Sequence, residues 1–182
     1  MPGSNSENSR WRNLFPLAIA ALALIADQIS KYIVTTNLHL YQEWSPIPAL
    51  EWLFSITYIT NTGAAFGIFP QASTIFTIIP VVVAVVIFIY SRQLPSNQWL
   101  LRFSLGLQLG GALGNLIDRL IRGYVVDMLY FKFWPVFNVA DSCIFVGVVL
   151  MSFYLLRENP FEEKATQEIA SENSEQNISA AS

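Results

Sequence analysis

Leu14-Phe-Pro-Leu-Ala-Ile-Ala-Ala-Leu-Ala-Leu-Ile-Ala-Asp27-Gln-Ile-Ser-Lys31-Tyr-Ile-Val34 is an apolar run broken only near its far end, by Asp27 and Lys31. A helix that crosses a bilayer needs ~20 mostly apolar residues, and this run supplies them. It also has the marks of a cleaved export signal, since Arg10 and Arg12 precede it and small residues fill it. The rest of the chain decides between these readings. Three more apolar runs follow: Ser73 to Tyr90, which contains Pro80; Trp99 to about Ile117, rich in glycine; and about Val139 to Leu156. A proline is tolerated in a membrane helix. A retained first helix in a four-span membrane protein is therefore the expectation.

Composition agrees. The chain of 182 residues is 53% hydrophobic and only 13% charged, about half the charge of a typical soluble domain, which carries roughly 25%. The net charge of −3 says little, because six of the thirteen acids are Glu residues beyond Arg157. The four Asp residues, 27, 118, 127 and 141, lie instead in or beside apolar segments. One cysteine excludes an internal disulfide framework and a cysteine-rich metal site, and a lone histidine, His39, argues against a zinc or histidine-based centre. Residues 1–12 and 158–182 are polar and are expected to be disordered cytoplasmic segments, leaving 13–157 as one membrane domain.

Basic residues in short loops orient membrane helices, since they stay on the cytoplasmic side. Arg10, Arg12, Arg92, Arg157 and Lys164 all fall on one side of a four-span arrangement, while Thr35 to Ala72 holds no Lys or Arg. Both termini are thus expected in the cytoplasm. Arg119, Arg122 and Lys132 break the pattern by lying on the outer side, and at least one of them is expected to have a specific task there. On that side Leu50, Trp52, Phe54, Ile56 and Tyr58 alternate with Glu51, Ser55 and Thr57, a period of two that suggests a strand. Trp44, Trp52 and Tyr58 suit the headgroup region, so a small sheet lying on the membrane competes with an ordinary capping loop.

Polar residues converge near the same outer end. In the third run Gly106, Gly110 and Gly114 recur every four residues, a ladder that lets a neighbouring helix approach closely. Gly111, Asn115 and Arg119 form a second stripe with Asp118 beside it. Such groups near the end of a spanning helix are expensive unless paired or solvated. Pairing of Asp118 with Arg119 or Arg122 is one bland account, but it leaves Asn115 unexplained. Asp127 sits in Gly123-Tyr-Val-Val-Asp127-Met-Leu-Tyr-Phe, among apolar neighbours that disfavour its charge. Asp141, in Phe137-Asn138-Val-Ala-Asp141-Ser, stands three residues after a candidate N-cap, a capping pattern that does not exclude chemistry. Two carboxylates sharing a site cannot both ionise easily, so one keeps a proton. That is the state needed to activate water with one acid while the other polarises a carbonyl. Cys143 reads as a small core residue. Asp27 and Lys31 are spaced for an ion pair on one helix face, and Asn61-Thr-Gly63-Ala-Ala-Phe66-Gly67 offers either close backbone approach to a ligand or a tight turn.

Asp27-Gln-x-x-Lys31, Asn61-Thr-Gly-Ala-Ala-Phe66, Gly110-Gly-Ala-x-Gly-Asn115-x-x-Asp118-Arg119, Val-Val-Asp127 and Phe137-Asn-x-Ala-Asp141 occur in that order over about residues 14 to 156. This series resembles the bacterial lipoprotein signal peptidases, the type II signal peptidases. The resemblance implies a membrane aspartic endopeptidase that removes signal peptides from diacylglyceryl-modified prolipoproteins, cutting before the lipid-bearing cysteine. It implies Asp127 and Asp141 as the catalytic pair. It implies Asp27, Asn61, Gly63, Asn115, Arg119, Asn138 and Ala140 as supporting positions, with Lys31 beside the lipid-facing cleft. An outer strand-rich cradle at residues 40–60 and a partly helical loop at 120–136 are further implications. So are inhibition by globomycin, contact with membrane lipid, no metal or other cofactor, and a bacterial inner-membrane location with the active site outside. Met128 departs from the family, which commonly has an aromatic residue there. The overall expectation is an all-α polytopic membrane protein of four transmembrane helices with a small extracytoplasmic β-rich cradle, acting as a monomer without nucleic acid. The rival is a small proton-coupled transporter that uses the same acids as a relay; a scaffold whose charges merely pair across helices is a third reading.

Overall fold

The computed structural model describes residues 4–63, 72–93 and 98–158. Among the described residues eight elements follow one another: α1 (Ser4–Asn37), β1 (Glu43–Trp44), a 3-10 turn (Pro48–Leu50), β2 (Phe54–Asn61), α2 (Ala72–Gln93), α3 (Trp99–Arg122), β3 (Val125–Phe131) and α4 (Val139–Glu158). Among the described residues, three helices are long and apolar enough to cross a membrane: Leu14–Asn37, Trp99–Arg122 and Val139–Arg157. The described apolar part of α2 is the shorter Pro80–Tyr90, although α2 is helical over 22 residues with Pro80 inside it.

Helix α3 is the centre of the bundle, packing against α1, α2 and α4. Its apolar window is 72% buried, against 28% for α1 and 11% for α4. The glycine ladder explains how so much of α3 is enclosed. A Cβ at Gly106 would meet Pro16 and Ile19, and one at Gly110 would lie 2.5 Å from the Ala20 carbonyl oxygen. Gly111 faces α4, where a Cβ would stand 2.4 Å from the Ala140 carbonyl oxygen. Backbones approach because there is no side chain between them. Below this contact Ala20, Ala84, Ile87, Leu101, Leu105 and Leu109 form a buried cluster. On α1 and α4, Leu22, Ile25, Ile29, Phe145, Val149 and Phe153 stay exposed, as lipid-facing residues of a membrane helix do.

At one end of the bundle the strands form an antiparallel sheet in the order β1-β2-β3. The register shifts between Ile56 and Ile59, so an extra residue bends β2 as it runs towards Asn61. The sheet rests on α1 through Val34, Val126 and Met128, with Leu38, Ile56 and Tyr58 around them. Three expectations change here. The strand begins at Phe54, because Pro48–Leu50 is a 3-10 turn and Trp52 lies in the turn that follows. Residues 125–131 form a third strand where the resemblance implies a partly helical loop. Helix α1 starts at Ser4, ahead of its apolar run. The tail from 159 on, and residues 64–67 of the Asn61–Gly67 stretch, lie outside the described residues.

Candidate active site

The sheet end of the bundle collects the polar residues singled out above. Helix α4 supplies Asp141 through its cap. Asn138 Oδ1 accepts the Asp141 backbone N–H at 2.9 Å, and Asp141 Oδ2 accepts the Asn138 backbone N–H at 3.3 Å. The reciprocal capping box read from the sequence is therefore present, and it leaves Asn138 Nδ2 free to donate elsewhere. Strand β3 supplies Asp127, which is 3% exposed. Asn138 Nδ2 donates to Asp127 Oδ1 at 2.7 Å, and Asn61 Nδ2, from the end of β2, donates to Asp127 Oδ2 at 2.9 Å. Capping of α4 and the link between the two acids thus use the same residue. Asn138 touches both acids.

Asn115, from α3, completes the link. Its Nδ2 donates to Asp141 Oδ1 at 2.7 Å, while its Oδ1 accepts from Lys31 Nζ and Asn138 Nδ2, each at 3.1 Å. Burial holds the Asp127 carboxyl well above the usual carboxylate range, at about 6. The Asn61 donor works against this rise, and the charge of Asp141 adds to it. Two facts explain why Asn61 can reach the acid. The Gly63 backbone N–H donates to Asn61 Oδ1 at 2.8 Å, fixing the amide, and Gly63 has φ +75°, a left-handed conformation that favours glycine.

Beneath the acids lies a buried ionic cluster. Lys31 Nζ is 2.7 Å from Asp27 Oδ2 and 2.9 Å from Asp118 Oδ2, all three side chains being fully buried. Asp27 Oδ1 accepts the Ala140 backbone N–H at 2.9 Å. Gly114 permits this approach, since a Cβ there would stand 2.6 Å from Asp27 Oδ2. The cations that break the basic-residue pattern each have a partner. Arg122 pairs with Asp118 and Lys132 with Glu43, whose carboxyl is held below its ordinary range chiefly by that bond. Arg119 Nη1 donates to the Asn115 carbonyl at 3.3 Å. Its Nε is buried and, among the described residues, has no hydrogen-bond partner; Asp127 and Asp141 both exert charge on its guanidinium.

The residues expected to act together therefore meet: Asp27, Lys31, Asn61, Gly63, Asn115, Asn138, Ala140, Asp127 and Asp141 form one continuous hydrogen-bonded set. Arg119 joins it through Asn115. Cys143 is half-buried on α4 and outside this set. Sequence reasoning gave no role to Gln28, whose Nε2 reaches Asp27, Asp118 and the Gly114 carbonyl. Its place inside the Asp27-Gln-x-x-Lys31 block is the only sequence signal for it. Among the described residues, no group of three or more His, Cys, Asp or Glu side chains is arranged to hold a metal ion. Beside Asp141 opens an apolar groove of about 370 Å³ lined by Phe131, Phe133, Trp134, Phe137, Phe145 and Val146.

The chain is similar to known proteins over most of its length. The family described as signal peptidase (SPase) II matches residues 19–157. A lipoprotein signal peptidase of Moorella thermoacetica is 47% identical over 140 residues, covering 77% of this chain and 91% of its own. One from Alteromonas mediterranea is 42% identical over 171 residues, covering 86% and 92%. Two bacterial membrane enzymes solved by the in meso method, at 2.3 and 1.9 Å, are each 32% identical and cover 79% of this chain, with TM-scores of 0.70 and 0.72. They are matched over 88% and 93% of their own lengths. The transporter reading finds no support among these relatives.

Proposed function

Since the chain belongs to the signal peptidase II family, a group of membrane proteases, we propose that it removes signal peptides from prolipoproteins by aspartic chemistry, with Asp127 and Asp141 as the catalytic pair. The observation that carries this reading is the meeting of two acids from different elements, β3 and α4, on the shared amides of Asn138 and Asn115. Burial raises the proton affinity of the Asp127 carboxyl, as a proton-sharing pair requires of one member. In the mechanism the ionised acid takes a proton from water while its protonated partner donates to the scissile carbonyl. The water oxygen attacks the carbonyl carbon to give a gem-diol; as the C–N bond breaks, the leaving amine receives the proton taken from water and the gem-diol returns its proton to the other acid. Asn61, Asn115 and Asn138 hold the acids in register, and Arg119 braces Asn115 through its backbone carbonyl.

The substrate is a peptide whose cysteine carries diacylglycerol, met at the extracytoplasmic face of the bacterial inner membrane. The aromatic groove beside Asp141 supports this assignment, because acyl chains and an apolar signal segment can enter it without leaving an apolar environment. Helix α2 is taken as the fourth span, with both termini cytoplasmic and the protein working as a monomer. Globomycin acts by filling the groove. The test compares two synthetic peptides, one with diacylglyceryl-cysteine and one with unmodified cysteine, using purified protein in detergent. Cleavage confined to the lipidated peptide and blocked by globomycin is expected. Equal cleavage of both peptides, or no cleavage, contradicts the assignment.

A further inference from the structure

Asp118 lies outside the catalytic scheme, yet its carboxylate is fully buried and four donors converge on it. Lys31 Nζ at 2.9 Å and the Val126 backbone N–H at 3.1 Å meet Oδ2, while Gln28 Nε2 at 3.3 Å and Arg122 meet Oδ1. Pairing with Arg122 alone would require none of the other three. Val126 is also fully buried, and it is the residue immediately before Asp127. Asp27 repeats this arrangement on the other acid: it accepts the backbone N–H of Ala140, a fully buried residue immediately before Asp141. Between the two carboxylates sits Lys31 Nζ, within 2.9 Å of both.

The geometry points to Asp118, Lys31 and Asp27 as a clamp that sets the separation of the two catalytic carboxylates, with Asp118 as the positioning residue for Asp127. Each arm of the clamp grips the main chain one residue from a catalytic acid, where a small movement of backbone passes directly to the side chain. Lys31 draws the arms together, and its contact with Asn115 Oδ1 ties the same cation to the amide that holds Asp141. The inference rests on the peptidase reading above, and it adds a role for residues that touch no substrate.

The test uses full-length wild type, Asp118→Asn, Asp118→Ala and Arg122→Gln in detergent. For each, kcat and KM on the diacylglyceryl-cysteine peptide are measured against pH, and the Asp127 carboxyl is titrated by carbon-13 NMR, its signal identified from Asp127→Asn. Loss of the Val126 anchor in Asp118→Ala is expected to lower kcat about 100-fold, the penalty of a displacement near 1 Å, with KM changed less than about threefold. Asp118→Asn keeps an acceptor for Val126 but loses the attraction to Lys31, and a fall of about 10-fold is expected. In both, the Asp127 midpoint moves from its wild-type position, whereas Arg122→Gln leaves midpoint and kcat close to wild type. If Asp118→Ala does not fold, the isosteric Asp118→Asn carries the comparison. Wild-type kcat and an unmoved midpoint in the Asp118 variants overturn the clamp, as does a kcat that falls only with the folded fraction. Should wild type cleave nothing, the peptidase reading fails separately, and the clamp is then judged on the carboxyl titration: a moved midpoint sustains it, and an unmoved one overturns it.

Discussion

Asp127 is where burial, hydrogen bonding and charge compete most directly. Removal from water is the largest influence on its carboxyl, outweighing the Asn61 and Asn138 donors, and it raises the pKa to about 6 from 3.8. A carboxyl whose folded pKa is raised contributes stability that is fully present below its unfolded value and is lost as pH rises through the folded value. The stability of wild type relative to Asp127→Asn is therefore expected to fall by about 3 kcal/mol between roughly pH 4 and pH 7, since a tenfold change in proton affinity corresponds to about 1.36 kcal/mol. Thermal unfolding of both proteins across that range measures the difference; a flat difference would show that the site does not disfavour the charge. Gly63 is the second sensitive residue. At φ +75° a side chain is strained, so Gly63→Ala is expected to lose about 1–2 kcal/mol in thermal unfolding. It should also lower kcat by loosening Asn61, and unchanged kcat would remove Asn61 from the site's support.

Among the elements, α3 depends most on what is absent from its surface. Gly111→Ala would drive a methyl group to 2.4 Å from the Ala140 carbonyl oxygen, a main-chain atom that cannot swing aside. Overpacking of this kind costs typically about 1–3 kcal/mol, and because Ala140 precedes Asp141, activity in the folded fraction is expected to fall as well. Calorimetry and specific activity of Gly111→Ala check both parts. Much of this element was legible in the sequence, because helical spacing placed Gly106, Gly110 and Gly114 on one stripe and Asn115 and Arg119 on another. The capping of α4 by Asn138 and Asp141 was equally legible, being local. Strand β3 was not. Its residues 125–128 are all buried, so Val-Val-Asp-Met shows no alternation of apolar and polar positions. In β2 the alternation was visible, but it could not reveal that Pro48 turns the chain before the strand begins. The role of Asp118 was hidden for another reason. Its decisive partners are a backbone N–H in β3 and a lysine on α1, contacts that residue types at nearby positions do not encode.

At the scale of the molecule, a bundle wrapped around one glycine-rich helix presents its acids at the end where the sheet and the aromatic groove meet. Trp134 and Phe145 line that groove and remain 61% and 69% exposed, ready to bury apolar surface when a substrate arrives. Trp134→Ala and Phe145→Ala are each expected to raise KM for a diacylglyceryl-cysteine peptide about 10-fold, as for a contact worth roughly 1.5 kcal/mol. Their kcat should stay close to wild type, since neither side chain holds an acid; steady-state kinetics with peptides of increasing acyl length check this. At the centre of the proposed mechanism, two carboxyls share the activation of one water. Its most direct measurement is the single-turnover cleavage rate of that peptide by folded Asp127→Asn and Asp141→Asn. Each change is expected to slow cleavage by at least about 100-fold, the contribution of a positioned acid or base, with peptide binding retained. Cleavage by either variant at a rate near wild type would contradict the shared-water mechanism.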